Sequence, residues 1–157
     1  MKEFPFEALE KTIFEFMDEQ KMCVIATCSG GLPRASAVEF FHDGYIIYVL
    51  TEGGVKITNL LENPAVSVAI HGQFTGWDSV RGIQISGMGM LGQEGSDVFE
   101  EAREAYLRRK GLESVDLPAG MYAIKVYPTQ MEYVDTSLRA EGYASRHIIR
   151  CGQEESN

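Results

Sequence analysis

Long hydrophobic runs are absent from this sequence. No apolar stretch in its 157 residues approaches the roughly 20 needed to cross a bilayer as a helix, so a helical membrane protein is excluded. The N-terminal Met1-Lys2-Glu3-Phe4-Pro5-Phe6-Glu7 is broken by acids and by Pro5, and does not read as a signal peptide. Basic residues are scarce too. Fourteen Lys and Arg against 23 Asp and Glu leave a formal charge of −9, and such a surface repels phosphodiester backbones and anionic lipids. A general nucleic-acid role is excluded; one small anionic ligand in a local pocket is not. Cysteine is limited to Cys23, Cys28 and Cys151, an odd number without CxxC spacing, which points to reduced thiols in a cytoplasm rather than a disulfide framework or metal site. His42, His71 and His147 are too scattered for a metal centre. Ser29, Ser36 and Ser86 lack the context of a nucleophile elbow.

What is present is a change of hydrophobic period along the chain. Phe6, Leu9, Ile13, Phe16 and Met17 recur at helical spacing and predict an amphipathic helix ending near Gln20. Met22–Cys28 is a continuous apolar run of strand length that suits a central strand covered on both faces. Arg34–Phe41 reads as a second strand, and Tyr45–Leu50, after an Asp43-Gly44 turn, as a third, so that 22–50 is expected to be an antiparallel meander. A short helix from Gly54 is stopped by Asn63-Pro64. Ala65–Ile70 and Val80–Leu91 predict two more strands, with Gly87 and Gly89 marking a bulge or a close backbone approach. Ser96-Asp97 opens a helix that closes at Gly111. Residues 121–134 make a last strand broken at Pro128, and the tail from Asp135 is expected to be ordered by a partner chain. Residues 1–157 thus read as one mainly β domain with flanking helices. Its core is about 7–135 and its tail 136–157, and its six antiparallel strands are expected to build a closed or half-closed barrel.

The segment Thr51-Glu52-Gly53-Gly54-Val55-Lys56 joins the third strand to the short helix. Its glycines allow several backbone N–H groups to converge, the helix N-terminus adds partial positive charge, and Lys56 adds a full one. That is the chemistry of a phosphate cradle. The same residues also make an ordinary strand-to-helix turn.

The order of elements is more specific than the turn. Gly31-Leu32-Pro33 before strand two, Thr51…Lys56 followed by Asn59-Leu60, Glu62-Asn63-Pro64-Ala65-Val66-Ser67-Val68, and a later strand carrying Ser86-Gly87 together resemble the pyridoxamine phosphate oxidase-like, FMN-binding split-barrel family from about residue 7 to 135. The resemblance implies a homodimer with FMN in clefts at its interface. It implies Lys56 on the phosphate with Thr51, Gly54 and Val55 beside it, and Arg34, Ala35, Ser36 and Ala37 along the ring or ribityl chain. Gln84 has the strand parity to reach the flavin edge. The implied activity moves electrons from a reduced nicotinamide to a small acceptor in the cytoplasm, with no metal, and points to no particular catalytic residue or substrate. The family also holds members that use deazaflavin F420 or bind haem, so an F420-dependent reductase and a flavin or haem carrier or sensor are the alternatives. This chain departs from the oxidase itself. Ser36 and Val55 stand where the oxidase has arginines, Arg81-Gly82 replaces its Arg-Gln pair, and its C-terminal Trp/Arg signature is missing, Trp77 being the only tryptophan. Oxidation of vitamin B6 is not expected.

Overall fold

In a computed structural model, which describes residues 1–152, the elements run α1 (Phe6–Glu19), β1 (Met22–Ser29), β2 (Leu32–Glu39), β3 (Phe41–Asp43), β4 (Ile46–Thr51), α2 (Val55–Glu62), β5 (Ala65–His71), β6 (Arg81–Gln93), α3 (Asp97–Lys110), β7 (Tyr122–Asp135) and β8 (Arg146–Arg150). Two 3₁₀ turns, Trp77–Ser79 and Thr136–Glu141, complete the path. All three predicted helices form where the periodicity places them. Ser96 caps α3 by accepting the Phe99 N–H, and Gly111 ends it. No helix among the described residues is long and apolar enough to cross a membrane.

The strands form one antiparallel sheet in the order β2-β1-β5-β6-β7-β4-β3, with β8 added to the C-terminal half of β7. The two ends of this sheet, β2 and β3, are separated in sequence by Phe40 alone. The sheet therefore has to roll until its edges nearly meet, which makes a split barrel, mainly β with flanking helices, that is not closed by hydrogen bonds. Phe40 is fully buried at the join. Its N–H donates to the Lys21 carbonyl at 3.1 Å and its carbonyl accepts from Arg109 Nη1 at 3.3 Å.

Three expectations need correction. Six strands become eight, because Phe40 breaks the second predicted strand and because the tail supplies β8. The meander over 22–50 is likewise interrupted: β1 pairs with β2 and β3 with β4, but the next ladder of β4 is with β7. The tail is ordered within its own chain, by β8 on β7 and by Asp135 accepting from the Ser137 N–H at 3.0 Å; residues 153–157 lie outside the described part.

The core inside the roll is built from α1 (Leu9, Ile13, Phe16, Met17) against Ile25, Phe40, Ile47, Ile83, Ile85 and Tyr133. A second cluster, from Phe99, Ala102 and Ala105 of α3, covers the outside of β3, β4 and β7 at Phe41, Tyr48 and Ala123. This explains why β4 (IIYVLT) is apolar almost throughout while β5 (AVSVAIH) alternates. The start of α3 packs on the far end of β6 at Gly92, but among the described residues no helix covers the outside of β2, β1, β5 and the N-terminal half of β6. There Val24, Ala26 and Cys28 are half-buried and Ala65, Ser67 and Ala69 are exposed, so β1 is not covered on both faces as its apolar run predicts. Burial pushes the Cys23 thiol, on the inner face, up to about 12, which leaves it an inert packing residue.

Gly87 confirms the predicted bulge. The register between β6 and β7 shifts at Ser86/Gly87, opposite Pro128, and a Cβ on Gly87 would lie 2.4 Å from the Tyr127 carbonyl oxygen. Gly87→Ala is therefore expected to destabilise by about 1–3 kcal/mol in chemical denaturation, the usual cost of overpacking. Gly53→Ala, whose Cβ would meet only a Tyr122 ring carbon at 3.7 Å, is expected to change stability by less than about 0.5–1 kcal/mol.

Candidate functional site

The Thr51–Lys56 turn stands where β4 leaves the sheet. Gly54 has φ 138°, a conformation that favours glycine, and no side chain caps the N-terminus of α2. The Ile57 and Thr58 N–H groups both donate to the Gly54 carbonyl, at 3.1 and 3.2 Å. The helix thus presents its first N–H groups and its positive dipole end without an internal acceptor. Lys56 is half-buried in this first turn. Neither it nor Arg34 makes an ion pair among the described residues, although acids outnumber cations and most other Lys and Arg side chains are engaged by acids or carbonyls. Thr51 is buried and its hydroxyl donates to the Glu52 carbonyl at 3.2 Å, so it points into its own backbone.

Three contacts fix the direction of α2. Asn59 Nδ2 donates to Thr27 Oγ1 at 3.1 Å, Ser29 Oγ to Glu62, and Asn63 Nδ2 to the Cys28 carbonyl at 3.0 Å. The helix therefore runs back along β1, with its C-terminus at Ser29 and its first turn directed toward Ile25. In the β1–β2 ladder Thr27 faces Arg34 and Ile25 faces Ser36, so Arg34 and Ser36 share the side of the sheet on which α2 packs. The structure thus gathers Arg34, Ser36, Gly54, Val55 and Lys56 round one corner. Ala35 and Ala37 point to the opposite face. Gln84 lies on that outer face, in the rung Ala37–Val24–Ala69–Gln84, about 14 Å across three strand spacings from Ala37.

Residues to which the sequence assigned no structural role organise this corner and the sheet beyond it. Thr27, Asn59 and Asn63 anchor the helix, and only the placement of two asparagines in and just after an apolar helix could have signalled them. Arg81 turns inward: its guanidinium lies 4.7 Å from the Phe16 ring centroid, with Nη1 3.3 Å from Glu19 and Nε 3.4 Å from the Tyr133 hydroxyl. Burial opposes the Arg81 charge, but Tyr133, Glu19 and Asp135 outweigh it and hold the guanidinium above its usual value. Arg81 is thereby a structural residue. Trp77 is not in the core or packed on the rim; it is 82 % exposed and stacks edge-on against Phe74, at 5.6 Å between centroids. His42 is engaged at both ring nitrogens, by the Gly44 carbonyl at 3.0 Å and Asp18 at 2.6 Å.

The family model for pyridoxamine 5'-phosphate oxidase matches residues 9–135. The chain belongs to this family. No curated protein matches the sequence. Among solved structures, the General Stress Protein 26 of Bacillus anthracis superposes with a TM-score of 0.65 at 22% identity, covering 90% of this chain and 98% of that one. An FAD-binding protein of Mesorhizobium loti gives 0.62 at 16% identity over 77% and 90%. The haem storage protein HutZ of Vibrio cholerae gives 0.61 at 19% identity over 76% and 89%. At these identities the likeness concerns the fold. Within the pyridoxamine 5'-phosphate oxidase family the match spans α1 through β7, so α2 and its anchors lie inside it.

Asn59→Ala removes a buried donor and leaves the Thr27 hydroxyl without that partner. The expected outcome is a loss of about 1–3 kcal/mol in urea unfolding and faster hydrogen exchange in α2 than in β6.

Proposed function

We propose that the chain is an FMN-binding flavoprotein of the cytoplasm, an oxidoreductase that moves electrons from a reduced nicotinamide to a small acceptor, acting as a homodimer with the cofactor at the interface. The observation that carries this reading is the corner at α2. An uncapped helix start, a glycine turn, and Lys56 and Arg34, which have no acidic partner among the described residues, form a donor set suited to a phosphate monoester. When bound, FMN supplies the hydride and electron chemistry. The chain's own residues hold and orient. Lys56 and the N–H groups of Gly54 and Val55 take the phosphate, with Thr51 shaping the turn. Arg34 and Ser36 lie along the ribityl chain. Ala35, Ala37 and Gln84, on the outer face, serve the ring bound across the interface. Ser36 and Val55 leave Lys56 with less positive help than the oxidase provides, and exposed Glu52 opposes it, so binding is weaker than in the oxidase.

The outer face supports the dimer. Ala35 and Ala37 of β2 are exposed there, and the outward side of β1 is only half covered. A second copy laid on β2, β1 and β5 supplies the missing layer. The Mesorhizobium loti FAD-binding protein supports a flavin. Haem is the second reading, favoured by HutZ and by His71. Its Nδ1 is held at 2.8 Å from the Gly72 carbonyl while Nε2 stays open on an exposed strand end, so that His71 would be the residue to hold a haem iron.

FMN titration should show Lys56→Ala binding about 10- to 100-fold more weakly, as expected for losing a charge-assisted bond to phosphate. Unchanged affinity would place the phosphate elsewhere. The protein as isolated should show a flavin spectrum and sediment as a dimer; a Soret band that disappears in His71→Ala would overturn the flavin reading in favour of haem.

A further inference from the structure

On the outer face, one cross-strand rung runs His71–Gly82–Val134–Arg146, next to the rung Ala69–Gln84–Glu132. Gly82 interrupts the first rung because it carries no side chain, and packing keeps it so: a Cβ there would approach the Ile70 carbonyl oxygen to 3.1 Å. A notch of about 280 Å³ opens at this point, with His71, Gln84, Val134 and Arg146 around it.

The polar groups of the notch have defined roles. The Gly72 carbonyl, 2.8 Å from His71 Nδ1, can only accept, so Nδ1 carries the proton and the neutral ring offers Nε2 as an acceptor. Arg146 donates one N–H to Glu132 at 2.7 Å and keeps others for a ligand, which they can serve only as donors. The Gln84 amide, exposed beside them, can do either. A carboxylate brings acceptors alone and would set a lone pair against Nε2. A primary carboxamide matches the whole set: its NH₂ donates to His71 Nε2 and its carbonyl accepts from Arg146. We infer that this notch recognises the primary carboxamide of a flat ligand. On the flavin reading, on which this identification rests, the ligand is the reduced nicotinamide, brought beside Gln84 at the flavin edge.

The test follows the backbone amides of Gly82 and Gln84 by NMR in isotope-labelled full-length protein, with FMN and without, titrated at neutral pH with nicotinamide and separately with nicotinate. Nicotinamide should give saturable shifts at these residues and nicotinate should bind roughly tenfold more weakly, the scale of one hydrogen bond lost at His71 Nε2. His71→Ala should bring the two ligands to similar affinity. Absence of a saturable shift with nicotinamide, or equal binding of nicotinate to the wild-type chain, overturns the inference. FMN occupancy is read independently from the visible absorbance of the gel-filtered sample. A failed flavin site and a failed notch therefore give different results.

Discussion

Phe40 holds the two ends of the sheet together. One residue joins β2 to β3, the first and last strands of the order, so the sheet cannot lie flat and the barrel cannot close by pairing those edges. The backbone at this point leaves both ladders and needs other partners, since unpaired buried peptide groups are costly. Lys21 supplies one and Arg109 the other. The same guanidinium lies 5.1 Å from the Phe40 ring centroid and donates to the Asp18 carbonyl at 3.3 Å and to that of Gln20, at the end of α1. One side chain from the last turn of α3 thus ties the barrel join to the helix that fills the barrel.

Two different surroundings follow for the strands. Where α3 packs, at β3, β4, the N-terminal half of β7 and the end of β6, the sheet is covered on both sides. Where no helix lies on the outside, at β2, β1, β5 and the first half of β6, it offers alanines, serines and a glycine notch to its surroundings. The corner at α2 belongs to the inner side of this open region and the His71–Arg146 notch to the outer side. A cofactor at the first and a ligand at the second are about three strands apart in one chain, which is why the proposed function needs the second copy to complete a site.

The helices, the turns at Asp43-Gly44 and Asn63-Pro64, the caps of α3 and the bulge at Gly87 were all legible as local features, because each leaves a mark in a few neighbouring residues. The Thr51–Lys56 turn was legible in the same way, down to the glycine that the helix start requires. Arg34, Ser36 and Lys56 could be grouped from the sequence only through the family resemblance. Their shared side is set by the β1–β2 register and by the run of α2 along β1, and these depend on Thr27, Asn59 and Asn63. Trp77 is exposed although a large aromatic is usually buried, because it sits on a short turn with no layer above it.

By itself, the sequence determined the kind and order of the elements up to β7, the acidic surface and the glycine turn ahead of α2, since periodicity, charge and glycine placement act over a few residues. Only the tertiary structure decided that the second strand breaks at Phe40, that the tail becomes β8, that Arg81 is structural, and that Gln84 stands on the face opposite Lys56. These outcomes depend on which strands pair and which faces are covered, and long-range packing chooses among arrangements that are locally equivalent.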